Sequence, residues 1–199
     1  MTAPRLILAS ASPARLALLR NAGLDPMVIV SGAEEGDVAL TDTRAAVATL
    51  ARRKAEIVAR LPTAADALVI GCDSLLDFEG LAYGKPATTA DAVDLWKRRR
   101  GQSGVLLTGH HLIDTTMGRA ASDVAATTVR FGAPTDAEIA AYVATDEPLA
   151  VAGAFTIDGR AAPFVDGIDG DPGNVIGLSL PLLRRLLGQL DVEITDLWT

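Results

Sequence analysis

Arg5-Leu6-Ile7-Leu8-Ala9-Ser10-Ala11-Ser12-Pro13-Ala14-Arg15 is the stretch on which the fold turns. The apolar run after Arg5 reads as a buried strand. Ser12 then offers a side-chain oxygen to the first turn of a helix, and Pro13 fits its first position. Leu16 and Leu19 continue the helical spacing, and Gly23 ends it. A second strand at 27–31 follows, so strand and helix alternate from the start.

Residues 32–41 read as a polar loop and 43–61 as a long helix. A third strand at 67–70 is expected to end at Gly71-Cys72-Asp73. A hairpin over 75–83 turns at Glu79-Gly80, and a helix covers 90–99. Two long strands, 105–115 and 121–131, flank Thr116-Met117-Gly118-Arg119 as an antiparallel hairpin. A short helix at 136–144, a glycine-rich and strand-poor stretch at 153–177, and a helix at 180–190 complete the chain. Neither repeats nor low-complexity linkers interrupt it. The pattern predicts one α/β domain over residues 1–199, a mixed sheet with a cleft between two lobes.

Composition narrows the function classes. The 199 residues are 49% hydrophobic and 22% charged, a globular balance that excludes a disordered chain. The single cysteine excludes a disulfide framework and a cysteine metal cluster, and fits a reducing cytoplasm. No apolar run approaches the roughly 18 residues of a membrane span, and the first residues do not read as a signal peptide. A net charge of −7 without a basic stripe argues against a nucleic-acid polymer as partner. Of 18 basic residues only Lys54, Lys85 and Lys97 are lysines.

Four places carry the chemistry. Ser10, Ser12 and Arg15 sit where a strand meets a helix N-terminus, which suits a phosphate as well as it suits a plain capped helix. Lys54 falls on the apolar stripe Val47, Leu50, Ala51, Ile57, Val58. Its ammonium either snorkels past the helix edge or meets an anion in a cleft. Asp73 ends an apolar strand, where a carboxylate holds a divalent metal, takes a proton from water, or caps a turn. Gly84-Lys85-Pro86 displays a lysine on a stiff turn, without the spacing of a Walker loop. Glu34 and Glu35 form a solvated pair or add an oxygen ligand. His110 and His111 point to opposite faces of a strand and read as structural. Lys97 to Arg100 reads as the exposed end of a helix, and Cys72 as packing.

Taken in order, these motifs resemble the Maf family. The resemblance rests on Leu8 through Arg15 with Leu18-Leu19, Glu35, Leu50-Ala51-Arg52-Arg53-Lys54-Ala55, Asp73-Ser74, Gly84-Lys85-Pro86 and Thr108-Gly109. It continues through Tyr142, Glu147-Pro148, Ala152-Gly153-Ala154-Phe155 and Gly173-Asn174-Val175-Ile176-Gly177-Leu178.

The resemblance implies an α/β/α, inosine-triphosphatase-like mixed sheet with a deep cleft, often in a homodimer. It implies a cytoplasmic nucleoside triphosphate pyrophosphatase that cuts between the α and β phosphates. A divalent cation is implied as cofactor, Mg²⁺ or Mn²⁺, with Co²⁺ a further option. Asp73 matches the proton acceptor; with Glu35 it would instead hold the metal, and both roles stay open. Ser10, Arg15, Lys54, Asp73 and Lys85 would handle phosphates, with Asp73, Lys54 and Lys85 as the catalytic residues and Ser12 beside Ser10 in substrate binding. Arg15, Ser74 and Asp158 fall where the family tunes substrate choice. Ser74 and Asp158 depart from the usual threonine and glutamine, Val151 from lysine, Gly104 from histidine and Ala14 from arginine. These departures leave the preferred base open. The alternative is a non-catalytic nucleotide-binding regulator of cell division with the same pocket.

Overall fold

The structure, a computed structural model, describes residues 4–34, 36 and 38–199. Its elements run β1 (Arg5–Leu8), α1 (Pro13–Asn21), β2 (Met27–Val28), α2 (Thr43–Ala59), β3 (Ala67–Phe78), β4 (Leu81–Tyr83) and α3 (Thr89–Arg99). They continue as β5 (Ser103–Asp114), β6 (Arg119–Phe131), α4 (Asp136–Val143), β7 (Val165–Asp169), α5 (Pro172–Ile176) and α6 (Leu180–Gln189). One seven-stranded sheet has the order β2-β1-β3-β5-β6-β7, with β4 added to β3. β1 runs parallel to β2 and β3, and the remaining pairings are antiparallel. The expected α/β fold on a mixed sheet is therefore found.

Three differences from the sequence reading matter. First, β3 does not stop at Gly71-Cys72-Asp73 but continues unbroken to Phe78, so Asp73 lies in mid-strand. Gly71 is present for a helix, not for a strand end. A Cβ there would lie 2.3 Å from the Ala51 carbonyl oxygen of α2. Gly109, opposite Asp73 on β5, is the same device: its Cβ would lie 2.2 Å from the Val47 carbonyl oxygen. Together they let α2 rest directly on the sheet. Second, β2 shrinks to two residues and the stretch 153–177 contains β7 and α5. β2 is an edge with one neighbour, and Met27, Val28 and Val30 stay exposed, so no core face extends it. Third, Arg99 is not part of an exposed helix end: it is fully buried. It shares the buried stripe of Ala92, Leu95 and Trp96 on α3, at spacings of three and four residues.

The apolar interior is divided, and β3 joins the parts. Leu68, Ile70 and Cys72 pack with Leu8, Leu112, Leu183 and Leu187 beneath α1 and α6. Leu76 and Phe78 belong to a second core with Trp96, Phe131, Tyr142 and Phe155. On the other face Ile7 and Val69 meet Ala55 and Val58 of α2. Residues 73 and 74 thus fall where β3 passes from one lobe to the other. Among the described residues no helix is long and apolar enough to cross a membrane.

Candidate active site

The site is built on a gap in the ladder. β1 leaves β3 at the pair Leu8–Ile70, with a last bond from Ala9 N–H to the Ile70 carbonyl at 2.9 Å. β4 joins the same edge only at Leu76. Residues 71–75 therefore have no strand partner on that edge among the described residues, while β5 pairs their other edge throughout. At the rise of an extended strand the gap is roughly 16 Å long.

Alternation sends Asp73 to the α2 face, with Val69 and Gly71. There the Lys54 ammonium donates to Asp73 Oδ1 at 2.5 Å, and the two side chains are only 13% and 11% exposed. This settles what the lysine on the apolar stripe does: its ammonium meets a carboxylate. The close seat of α2 on Gly71 sets the reach between them. Arg53, next on the helix, donates to the Glu34 carbonyl at 2.5 Å and ties down the polar loop.

Ser74 points to the opposite face, and Arg15 is held there by three bonds. Its Nε donates to the Gly177 carbonyl at 2.7 Å, and its two terminal nitrogens donate to Ser10 Oγ at 3.1 Å and Ser74 Oγ at 3.0 Å. Ser12 caps α1 by accepting the Arg15 N–H at 3.3 Å, and Ser10 Oγ accepts the Ser12 N–H. Behind Ser74, Thr108 lies directly opposite on β5 with the two hydroxyls 2.9 Å apart. Thr108 spends its proton on the Asn174 carbonyl at 3.0 Å, so Ser74 is the donor of the pair. Asn174, fully buried, donates in turn to the Leu106 carbonyl and Thr127 Oγ1.

His110 anchors the far side of this network. Its Nε2 accepts the Ser179 N–H at 2.8 Å, so the proton sits on Nδ1 and is donated to the Thr108 carbonyl at 3.0 Å. Burial pushes its pKa down to about 4, which keeps the ring neutral. His111 faces the other way and contacts Ser122 Oγ, as its strand position requires. Cys72 is buried and its thiol is pushed up to about 12 by burial, which suits packing and not nucleophilic attack.

The structure thus gathers Ser10, Ser12, Arg15 and Ser74 into one network and Lys54 with Asp73 into another. Lys85 and Asp158 have no described contact with either. Lys85 is exposed on the turn after β4. Gly84 before it rests against Leu75, and its carbonyl accepts the Gly153 N–H at 2.9 Å. Lys85 therefore leaves β4 at one end of the gap. Asp158 is exposed on a turn that Glu147 ties together, accepting from Thr156 Oγ1 at 2.5 Å and the Arg160 N–H at 2.9 Å. Glu35 lies outside the described residues. Sequence reasoning gave no role to Thr108, Asn174 or the Gly177 carbonyl; only the β3–β5 register and the α5 turn bring them in.

Among the described residues no three His, Cys, Asp or Glu side chains converge as a ready metal cage. Asp73 nevertheless supplies a hard oxygen donor at the open edge. That fits a cation such as Mg²⁺, which takes one or two carboxylates and completes its shell with water and substrate phosphates.

A mixed sheet whose third strand is open along one edge, between a lysine–carboxylate pair and a triply bonded arginine, defines an α/β protein with charged side chains gathered at that edge. The family model described as Maf-like protein matches residues 5–190, and the chain belongs to that family. A protein of Streptomyces coelicolor is 61% identical, covering 98% of this chain and 94% of its own. One of Streptomyces avermitilis is 60% identical, covering 98% and 95%. One of Salinispora tropica is 58% identical, covering 98% and 88%. All three are named nucleoside triphosphate pyrophosphatase, a hydrolase.

Proposed function

We propose that this chain hydrolyses nucleoside triphosphates between the α and β phosphates, releasing a nucleoside monophosphate and pyrophosphate. One observation carries the reading. Asp73 and Ser74 project from opposite faces of the stretch of β3 that is open along one edge, so a substrate along that edge meets a carboxylate on one side and Arg15 on the other. The names of the relatives support the substrate class.

The residues divide the work as follows. Water attacks the α phosphorus and the bond from that phosphorus to the bridging oxygen breaks. Asp73 takes the proton from the water at Oδ2, while Lys54 holds Oδ1. Arg15, fixed by Gly177, Ser10 and Ser74, presents its remaining N–H groups without having to reorganise. Lys85, at the end of the gap, meets the departing pyrophosphate. Asp73 would also be a ligand for a divalent cation carried with the substrate, whose chemistry is to neutralise phosphate charge and lower the pKa of water. The same reading gives a cytoplasmic enzyme acting as a homodimer on free nucleotides.

The test is a panel of nucleoside triphosphates with Mg²⁺, Mn²⁺ and Co²⁺, with the products identified. Pyrophosphate is expected, with turnover lowered about 10²–10⁴-fold in Asp73→Asn. Release of orthophosphate alone overturns the cleavage site. Tight binding without turnover overturns the enzyme and leaves the regulator.

A further inference from the structure

Arg99 is a charged residue with none of its surface exposed, and no carboxylate pairs with it among the described residues. Its guanidinium carbon lies 3.8 Å from the Trp96 ring centre, 4.4 Å from Phe131 and 5.3 Å from Phe155. An apolar side chain would fill this cage without giving up the hydration of a charge. What an apolar side chain cannot do is donate. Arg99 donates from one terminal nitrogen to the Gly153 carbonyl and from the other to the Ala154 carbonyl at 3.1 Å. The Trp96 indole N–H donates to the same Ala154 carbonyl at 2.8 Å.

The bend it holds is one the chain does not adopt readily. Gly153 has φ +67° and Ala154 φ +57°, both left-handed, and a β-carbon disfavours this region. Gly153 also abuts Leu76 so closely that a Cβ would come within 2.7 Å of the leucine Cβ. The bend then reaches the site: the Gly153 N–H donates to the Gly84 carbonyl, one residue before Lys85. The path from Arg99 to Lys85 is thus two carbonyls, one amide and one further carbonyl.

We propose that Arg99 is a positioning residue that fixes Lys85 at the end of the open edge through the Gly153–Ala154 bend. This rests on the pyrophosphatase reading. Without the two donated bonds the bend relaxes, Gly84 loses its partner and Lys85 no longer meets the phosphates at a set place. A misplacement of the order of 1 Å is enough to cost up to about 10²-fold.

The experiment uses the full chain with Arg99→Met and Arg99→Lys, each alone and combined with Lys85→Ala. Steady-state kinetics are taken per folded molecule, and backbone hydrogen exchange is followed at Gly153. Arg99→Met is expected to raise KM for the triphosphate about tenfold or more and to speed exchange at Gly153. Arg99→Lys, which keeps the charge in the cage but not the fork, recovers part of the loss. In the Lys85→Ala background Arg99→Met adds little, because both act through one group. A lower Tm with unchanged KM, unchanged exchange at Gly153, or effects that add fully overturns the proposal. If Arg99→Met does not fold, Arg99→Lys against Lys85→Ala carries the same cycle. A wild-type protein that releases no pyrophosphate refutes the pyrophosphatase reading instead, and exchange at Gly153 then still decides whether Arg99 holds the bend.

Discussion

Acid should weaken this protein through His110 before most other groups, and the size of the effect follows from its burial. The ring is 1% exposed, accepts from Ser179 and donates to Thr108, and burial lowers its pKa from the ordinary 6.5 to about 4. Arg15 pushes in the same direction, while the Thr108 carbonyl, Asp171 and Asp123 oppose it. Above about pH 6.5 neither the folded nor the unfolded chain binds a proton here, and the group leaves stability unchanged. Below that the unfolded chain binds one and the native ring does not, so stability falls by about 1.4 kcal/mol per pH unit until about pH 4. The accumulated loss is about 3 kcal/mol, or roughly 6–12 °C in Tm for a chain of this length. The assay is urea unfolding of wild type and His110→Gln across that window. His110→Gln should start less stable, since it no longer serves both partners, and lose less on acidification; carboxylates common to both cancel in the difference. If the two proteins lose stability in parallel from about pH 6.5 to about pH 4, His110 is not a buried neutral ring.

Other outcomes are equally definite. Lys54→Met should lower kcat about 10²-fold or more in a protein that remains folded by circular dichroism; wild-type turnover removes Lys54 from the machinery. Gly71→Ala forces α2 off β3 and should cost about 3 kcal/mol in urea unfolding, with kcat falling as Lys54 and Asp73 separate; an unchanged midpoint contradicts the close seat. Asp158→Gln replaces an acceptor-only group with one that also donates, and should raise kcat/KM for UTP relative to GTP about tenfold. A ratio that does not move excludes the 156–160 turn from base choice.

Much of this was legible in the chain because local rules and tertiary demands agree. Ser12-Pro13 starts α1 where the cap chemistry says it should. The 3.6-residue period alone places Lys54 on the buried stripe of α2. Gly71 is ambiguous in the sequence for a physical reason: a glycine in a strand is the same letter whether the backbone bends or a helix lies against it. Arg99 is hidden because a run of basic residues suggests a wet surface, although its spacing from Ala92, Leu95 and Trp96 is that of a core position. The bond from Arg15 to Ser74 spans 59 residues, and no local pattern encodes it. Nor does any local signal place Thr108 opposite Ser74, since that depends on the register of two long strands.

The passage of β3, between β5 and the two shorter strands, from one core into the other also bears on how the protein can move. Hinges form where a few residues are free to change their φ and ψ, and a hydrogen-bonded ladder denies them that freedom. Here the lobes share one unbroken strand, whose partner β5 is bonded along residues 68–77, so a bonded ladder resists their swinging as rigid bodies. Closure around a ligand would have to twist the sheet itself, which is stiff. The adjustable parts are exposed side chains at the rim, Lys85 and Asp158 among them. Structures with and without nucleotide should therefore superpose closely over the whole sheet and differ chiefly in such side chains.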